Sequence, residues 1–236
     1  MVMRFATAAP STSRWDHRPG GVVAVCTLWG CLFLAAVPGL ASAQNAAYAS
    51  TGVEAGQLLA KKALLCLRRG EDGVTTEARL AAYREGLDLA RRAVAADDHN
   101  ADGHFAIFAN YGRILLLEGT TPNPLNLLKV NRELDRALEI DPNHADALAS
   151  KGGLYRQLPR LLGGSDQKAE RCLTRAIELD PSAVGARVEL AQLYRDRGET
   201  QRGIPLLKRA AEVAERDGKF RQLTEAQDLL REFTAQ

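Results

Sequence analysis

From Gln44 onward the apolar positions recur at intervals of three and four, and short breaks at Gly, Asp-Pro or Asp-Asp separate the runs. That is the period of helices with one buried face. The pattern also repeats itself. Ala137-Leu138-Glu139-Ile140-Asp141-Pro142 returns 39 residues later as Ala176-Ile177-Glu178-Leu179-Asp180-Pro181. Leu173 and Ala176 return after 34 residues as Leu207 and Ala210, and Ala90 and Ala93 precede Leu134 and Ala137 by 44. On the leading helices, Tyr111, Tyr155 and Tyr194 keep the intervals of 44 and 39. One rule covers all of this: a unit of 34 residues, with ten extra residues in one copy and five in the next. Small residues at Gly152 and Ala169, or Ala191 and Gly203, predict helices that approach closely, with Tyr and Leu filling the space between units. Pro142 and Pro181 stop the second helix of a unit, since proline lacks an amide donor and biases the preceding residue away from helix. One such pair cannot bury its apolar face alone, so neighbours stack.

Spacing and residue type together resemble the tetratricopeptide repeat family, whose unit of about 34 residues folds as two helices. The likeness is carried by Leu190, Ala191, Tyr194, Gly203, Leu207 and Ala210 in the last copy. In the copy before, Leu148, Gly152, Tyr155, Ala169, Leu173, Ala176 and Pro181 carry it. The resemblance spans Thr51 to Glu215 and implies an all-α, right-handed solenoid. The array covers 51–216 in about four helix pairs, at 51–98, 99–142, 143–181 and 182–215. A C-terminal capping helix lies within 217–236, with Phe220, Leu223, Leu229, Leu230 and Phe233 turned to the last pair. Phe108 and Val130 are large where the family is small, and Lys151 stands where leucine is expected. These departures predict a splayed second pair or a rotated first helix.

The first 43 residues do not belong to this array. Arg4, Arg14 and Arg18 precede an uncharged run from Gly21 to Val37, and Ala41-Ser42-Ala43 forms a small-x-small site before Gln44. Positive, then apolar, then cleavable is the pattern of a secretory signal, followed by a short linker at 44–50. The expected product is exported, periplasmic or secreted, with no stable membrane span after cleavage. The leader also carries Asp16. Of 31 basic and 29 acidic residues in the chain, its removal therefore leaves equal numbers. A neutral protein has no field to attract nucleic acid.

Chemistry is scarce. Cys66 and Cys172 lie two units apart, whereas a disulfide needs Cα atoms within about 7 Å, so two separate thiols are expected. The histidines of the mature chain (His99, His104 and His144) lack zinc-site spacing. Asp98 to Gly103 opens like a calcium loop, but Ala109 stands where the bidentate glutamate is needed; the fragment reads as a turn. No phosphate loop, nucleophile elbow or zinc-protease helix occurs. No catalytic residue, metal or cofactor is expected.

The resemblance implies a non-enzymatic binding or scaffold protein that holds a protein or peptide partner in the groove lined by the leading helices. Phe105, Arg113, Arg156, Gln192 and Arg195 are the candidate groove residues. Three arginines on one strip could take carboxylates or phosphates, which makes an anionic partner a candidate, and a homo-oligomer is open. The two insertions fall at equivalent turns, so Pro122, Pro124, Pro159 and Arg160 should form one raised lip, packed together through their leucines. The turn Gln157 to Ser165 resembles one in the exported repeat proteins of tripartite (TRAP-type) solute transporters. That second likeness implies an accessory of periplasmic solute uptake, binding a small solute or a solute-binding protein.

Overall fold

The computed structural model describes residues 38–119 and 124–235. Its helices are α1 (Pro38–Glu71), α2 (Thr76–Ala96), α3 (Ala101–Leu117), α4 (Pro124–Ile140), α5 (Ala145–Gln157), α6 (Asp166–Leu179), α7 (Val184–Asp196), α8 (Thr200–Arg216) and α9 (Phe220–Thr234). A 3-10 turn, Arg160–Leu162, is the only other regular element among the described residues. Each odd helix packs against the even helix that follows it, and α9 closes on α8. The result is an all-α solenoid of tetratricopeptide type.

The repeated positions are the buried ones. Leu134, Leu173 and Leu207 are all fully buried, as are Ala137, Ala176 and Ala210 one turn further on. Large and small side chains thus alternate at the same height in α4, α6 and α8, as interdigitated packing requires. Phe233 of α9 covers the cluster formed by Val184, Val188, Ala191 and Leu207.

The turns from one pair to the next share a device. Asp97, Asp141 and Asp180 each end an even helix, and each side chain accepts the backbone N–H two residues on, at 3.0, 2.9 and 2.8 Å. Each Asp carbonyl also accepts the N–H three residues on. These bonds satisfy donors that the next helix start would otherwise leave unpaired. Asn100 and His144 then cap α3 and α5 by accepting the amides of Gly103 and Ala147. The fragment Asp98 to Gly103 is such a turn.

The second unit departs from the pattern locally. Phe108 is half-buried and packs 6.2 Å from Phe105. Asn110 takes the place that Leu154 and Leu193 hold in later units and is fully buried. Its amide donates to the carbonyls of Ala106 (2.9 Å) and Ala63 (3.4 Å), so a polar bridge joins α3 to α1. Between the second and third pairs, α4 meets α5 along the shortest stretch of any consecutive helices among the described residues. Cys66 on α1 and Cys172 on α6 are separate thiols.

Candidate functional site

The candidate strip runs along the ends of the odd helices. Each arginine on it is engaged by an acid of a neighbouring odd helix. Arg113 of α3 reaches back to Glu71 at the end of α1, at 2.8 Å. Arg156 of α5 reaches forward to α7, donating to Glu189 at 2.8 Å, Asp196 at 3.0 Å and Gln192 at 2.7 Å. Arg195 of α7 lies 3.5 Å from Glu232 of α9, with its guanidinium 5.5 Å from the centre of the Phe233 ring. The strip is a ladder of ion pairs between adjacent helices, and its charges are largely balanced within the protein.

Exposure separates the three. The Arg156 side chain is only 14% exposed, against 43% for Arg113 and 33% for Arg195. Burial works against the Arg156 cation, yet Glu189 and Asp196 outweigh it and strengthen its hold on the proton. Arg156 is therefore a fixed strut, whereas Arg113 and Arg195 present part of their donors to solvent. Gln192 spends its side-chain oxygen on Arg156. Phe105, expected on the groove surface, is instead 5% exposed. It packs on Leu134, Ala137 and Ala147, with its ring 5.0 Å from that of His144. The turn into α5 closes over it.

Of the lip, Pro122 lies outside the described residues and Pro124 is the first residue of α4. Pro159 and Arg160 sit in a tightly bonded turn. The Pro159 carbonyl accepts Leu162 N–H and Gly164 N–H at 2.8 and 3.1 Å, and Ser165 N–H donates to Tyr155 O at 2.9 Å. A Cβ at Gly164 would stand 1.7 Å from Leu158 O, so only glycine closes the turn. Leu161 and Leu162 project outward, 94% and 68% exposed. The expected packing of the two lips through leucine is absent on this side; the side chains of Leu125, Leu127 and Leu128 lie outside the described residues.

Several charged groups escape a reading of the sequence. Lys151 is 13% exposed and pairs with Asp135 of α4 while donating to Asn131 at 3.0 Å; the misplaced lysine of the repeat is an inter-unit tie. Glu170 of α6 gathers Arg197 (2.6 Å), Arg202 (3.3 Å) and the Tyr194 hydroxyl (3.0 Å), with Arg202 stacked 3.9 Å over that ring. His104 is buried, with Nδ1 2.7 Å from Glu133 and Nε2 3.1 Å from Asp98 O. The mutual spacing of acids and bases was the available signal, but it repeats too often in a helical chain to single these pairs out. No helix among the described residues is long and apolar enough to cross a membrane. Among them no group of three or more His, Cys, Asp or Glu could hold a metal ion.

No family profile and no curated protein matches the chain. Solved structures do. PilF of Pseudomonas aeruginosa aligns over 78% of both chains, with 16% identity and a TM-score of 0.48. TTC0263, a thermophilic TPR protein of Thermus thermophilus, aligns over 77% of this chain and 98% of its own, at 20% identity and a TM-score of 0.48. YrrB, a TPR protein described as having an unusual peptide-binding site, covers 65% of this chain and 73% of its own, at 17% identity and a TM-score of 0.40.

Proposed function

We infer that the protein is a non-enzymatic, exported binding or scaffold protein, whose strip of odd helices receives a segment of another protein. The observation that carries this is the ladder of ion pairs between Glu71 and Glu232. Partly exposed pairs such as Arg113–Glu71 and Arg195–Glu232 contribute little to folding, about 0–1 kcal/mol each. They can exchange partners at small cost, and a peptide bearing both charges could take over their donors and acceptors. Arg156, held by three groups, keeps the spacing of α5 and α7 fixed meanwhile.

A small-solute role would need a deep apolar chamber. Two concavities of the described residues are shallow and lined by polar residue types, one by Gln167, Glu170, Arg171, Thr174, Arg175 and Glu178. The second lies against Asp102, Asp141, His144, Asp146 and Asp180. This favours the protein partner. The test is capture of partners from exported extract with the mature chain, followed by titration calorimetry with Arg113→Ala and Arg195→Ala. Each should weaken binding and flatten its salt dependence. Affinity unchanged by both would remove the strip as the site.

A further inference from the structure

The ladder has a missing rung. Arg113 ties α3 back to α1, Arg156 ties α5 forward to α7, and Arg195 ties α7 to α9. Among the described residues no ion pair on the strip joins α3 to α5, and the same junction is where α4 and α5 touch least. What crosses it is local: Lys151 with Asp135 and Asn131, His144 with Asp102 at 3.1 Å, and the Ala147 and Leu154 contacts on Phe105, Leu134 and Ala137. Two blocks result, α1–α4 and α5–α9, each knit internally by long helix contacts and meeting over a narrow joint.

The two ends of the array also meet. Arg221, on the first turn of α9, donates to the backbone carbonyl of Glu71 at 3.0 Å, across 150 residues of sequence. Glu71 is the last residue of α1, so its carbonyl is one of the unpaired acceptors at a helix C-terminus, where the helix dipole favours a cation. Its carboxylate simultaneously holds Arg113. One residue thus gathers α1, α3 and α9. The contact is exposed, and it is a single hydrogen bond.

We propose that the array is a latched clamp, hinged at the α4–α5 joint and closed across its mouth by Arg221 on the end of α1. In the latched state the strip of odd helices is bounded at both ends. Release of Arg221 lets the α5–α9 block swing away from α1–α4, with Lys151 and the Phe105 contacts as pivot. The inference concerns the motion of the chain and stands whether or not the strip binds a peptide.

The test is pulsed electron–electron double resonance on the full chain with Cys26→Ala, Cys31→Ala and Cys172→Ala, so that spin labels attach only at introduced cysteines; Cys66 is buried. One label pair, Val74→Cys and Thr224→Cys, reports the mouth; both positions are exposed. A second pair, Gln167→Cys and Lys208→Cys, lies wholly within the α5–α9 block. Adding Arg221→Ala should lengthen and broaden the mouth distance by several ångströms and leave the internal pair unchanged. Arg221→Gln, which keeps part of the stem and loses the charge, should do the same to a smaller extent. A mouth distribution that superimposes with and without Arg221 would overturn the latch. A shift of the internal pair together with the mouth would overturn the hinge.

Discussion

Gly152 offers a decisive test of the packing. It lies in the middle of α5 against α6, and a Cβ there would sit 2.5 Å from Leu173 Cγ, 2.8 Å from Cδ2 and 3.2 Å from Ala169 O. Two effects oppose each other in Gly152→Ala. Alanine in a helix interior is favoured over glycine by about 1 kcal/mol, while forcing a methyl into a filled core costs about 1–3 kcal/mol. The close contact is with the branch carbon of Leu173, a side chain with no exposed surface, so it cannot swing aside. Overpacking should win, by about 1 kcal/mol net. A Cβ added at Gly112 of α3 would meet nothing within 4 Å; Gly112→Ala should therefore stabilise, by up to about 1 kcal/mol. Leu173→Ala alone leaves a cavity worth about 2–5 kcal/mol. In the double variant the new methyl enters that cavity, so the combined loss should fall short of the sum by about 0.5–3 kcal/mol. Urea unfolding followed by circular dichroism on the parent and four variants measures every term. A Gly152→Ala protein more stable than its parent, or a strictly additive cycle, would refute the close approach of α5 and α6.

Three further outcomes follow from the contacts. His104 has an acceptor at both ring nitrogens, an arrangement that suits the imidazolium; burial is the largest influence and opposes the charge, but Glu133, the Asp98 carbonyl and both carboxylate charges together raise its pKa above 6.5. A raised folded-state value means the stabilisation is complete below the unfolded pKa and lost as pH climbs through the folded one. The stability gap between parent and His104→Gln should thus be widest in mild acid and shrink in mild alkali; a gap that widens with pH contradicts the ion pair. Arg156→Ala should cost about 1.5–3 kcal/mol, since it strips charged hydrogen bonds from a mostly buried group, whereas Arg113→Ala should cost about 0–1 kcal/mol; equal melting temperatures for the two would deny the strut. Burial pushes both thiols up, so Cys66 and Cys172 should react slowly in the folded protein, and titration of the unreduced, denatured monomer of the mature chain, from Gln44 onward, should count two.

What was legible in the sequence is what depends on short range. The fixed spacing of Leu134, Leu173 and Leu207 and of their alanine partners gives the buried face directly, because a helix turn converts spacing into direction. The Asp turns were equally readable, since Asp141-Pro142 and Asp180-Pro181 act within three residues. The strip was legible only as a row of arginines. Their partners lie 33 to 42 residues away, on helices whose relative rotation the repeat does not specify. Phe105 occupies a position facing the groove in a regular array, but Leu134, Ala137 and Ala147 pack with it and the His144 ring lies against it. The Arg221–Glu71 contact depends on the summed rotation of every unit between them, where small departures such as Phe108 and Asn110 accumulate.

The Asp turns carry one more consequence. Because Asp97, Asp141 and Asp180 close each passage between pairs with their own side chains, that rim tolerates no change of length without unpicking a bonded turn. The opposite rim, where an odd helix passes to its even partner, is where the ten and five extra residues fall, and the bonded Pro159–Ser165 turn shows one of them absorbed without disturbing the turn at Asp180. The molecule therefore has a conservative margin that keeps the units in phase and a permissive margin open to insertion. New surface, such as the projecting Leu161 and Leu162, can be acquired at the second margin while the first preserves the stacking.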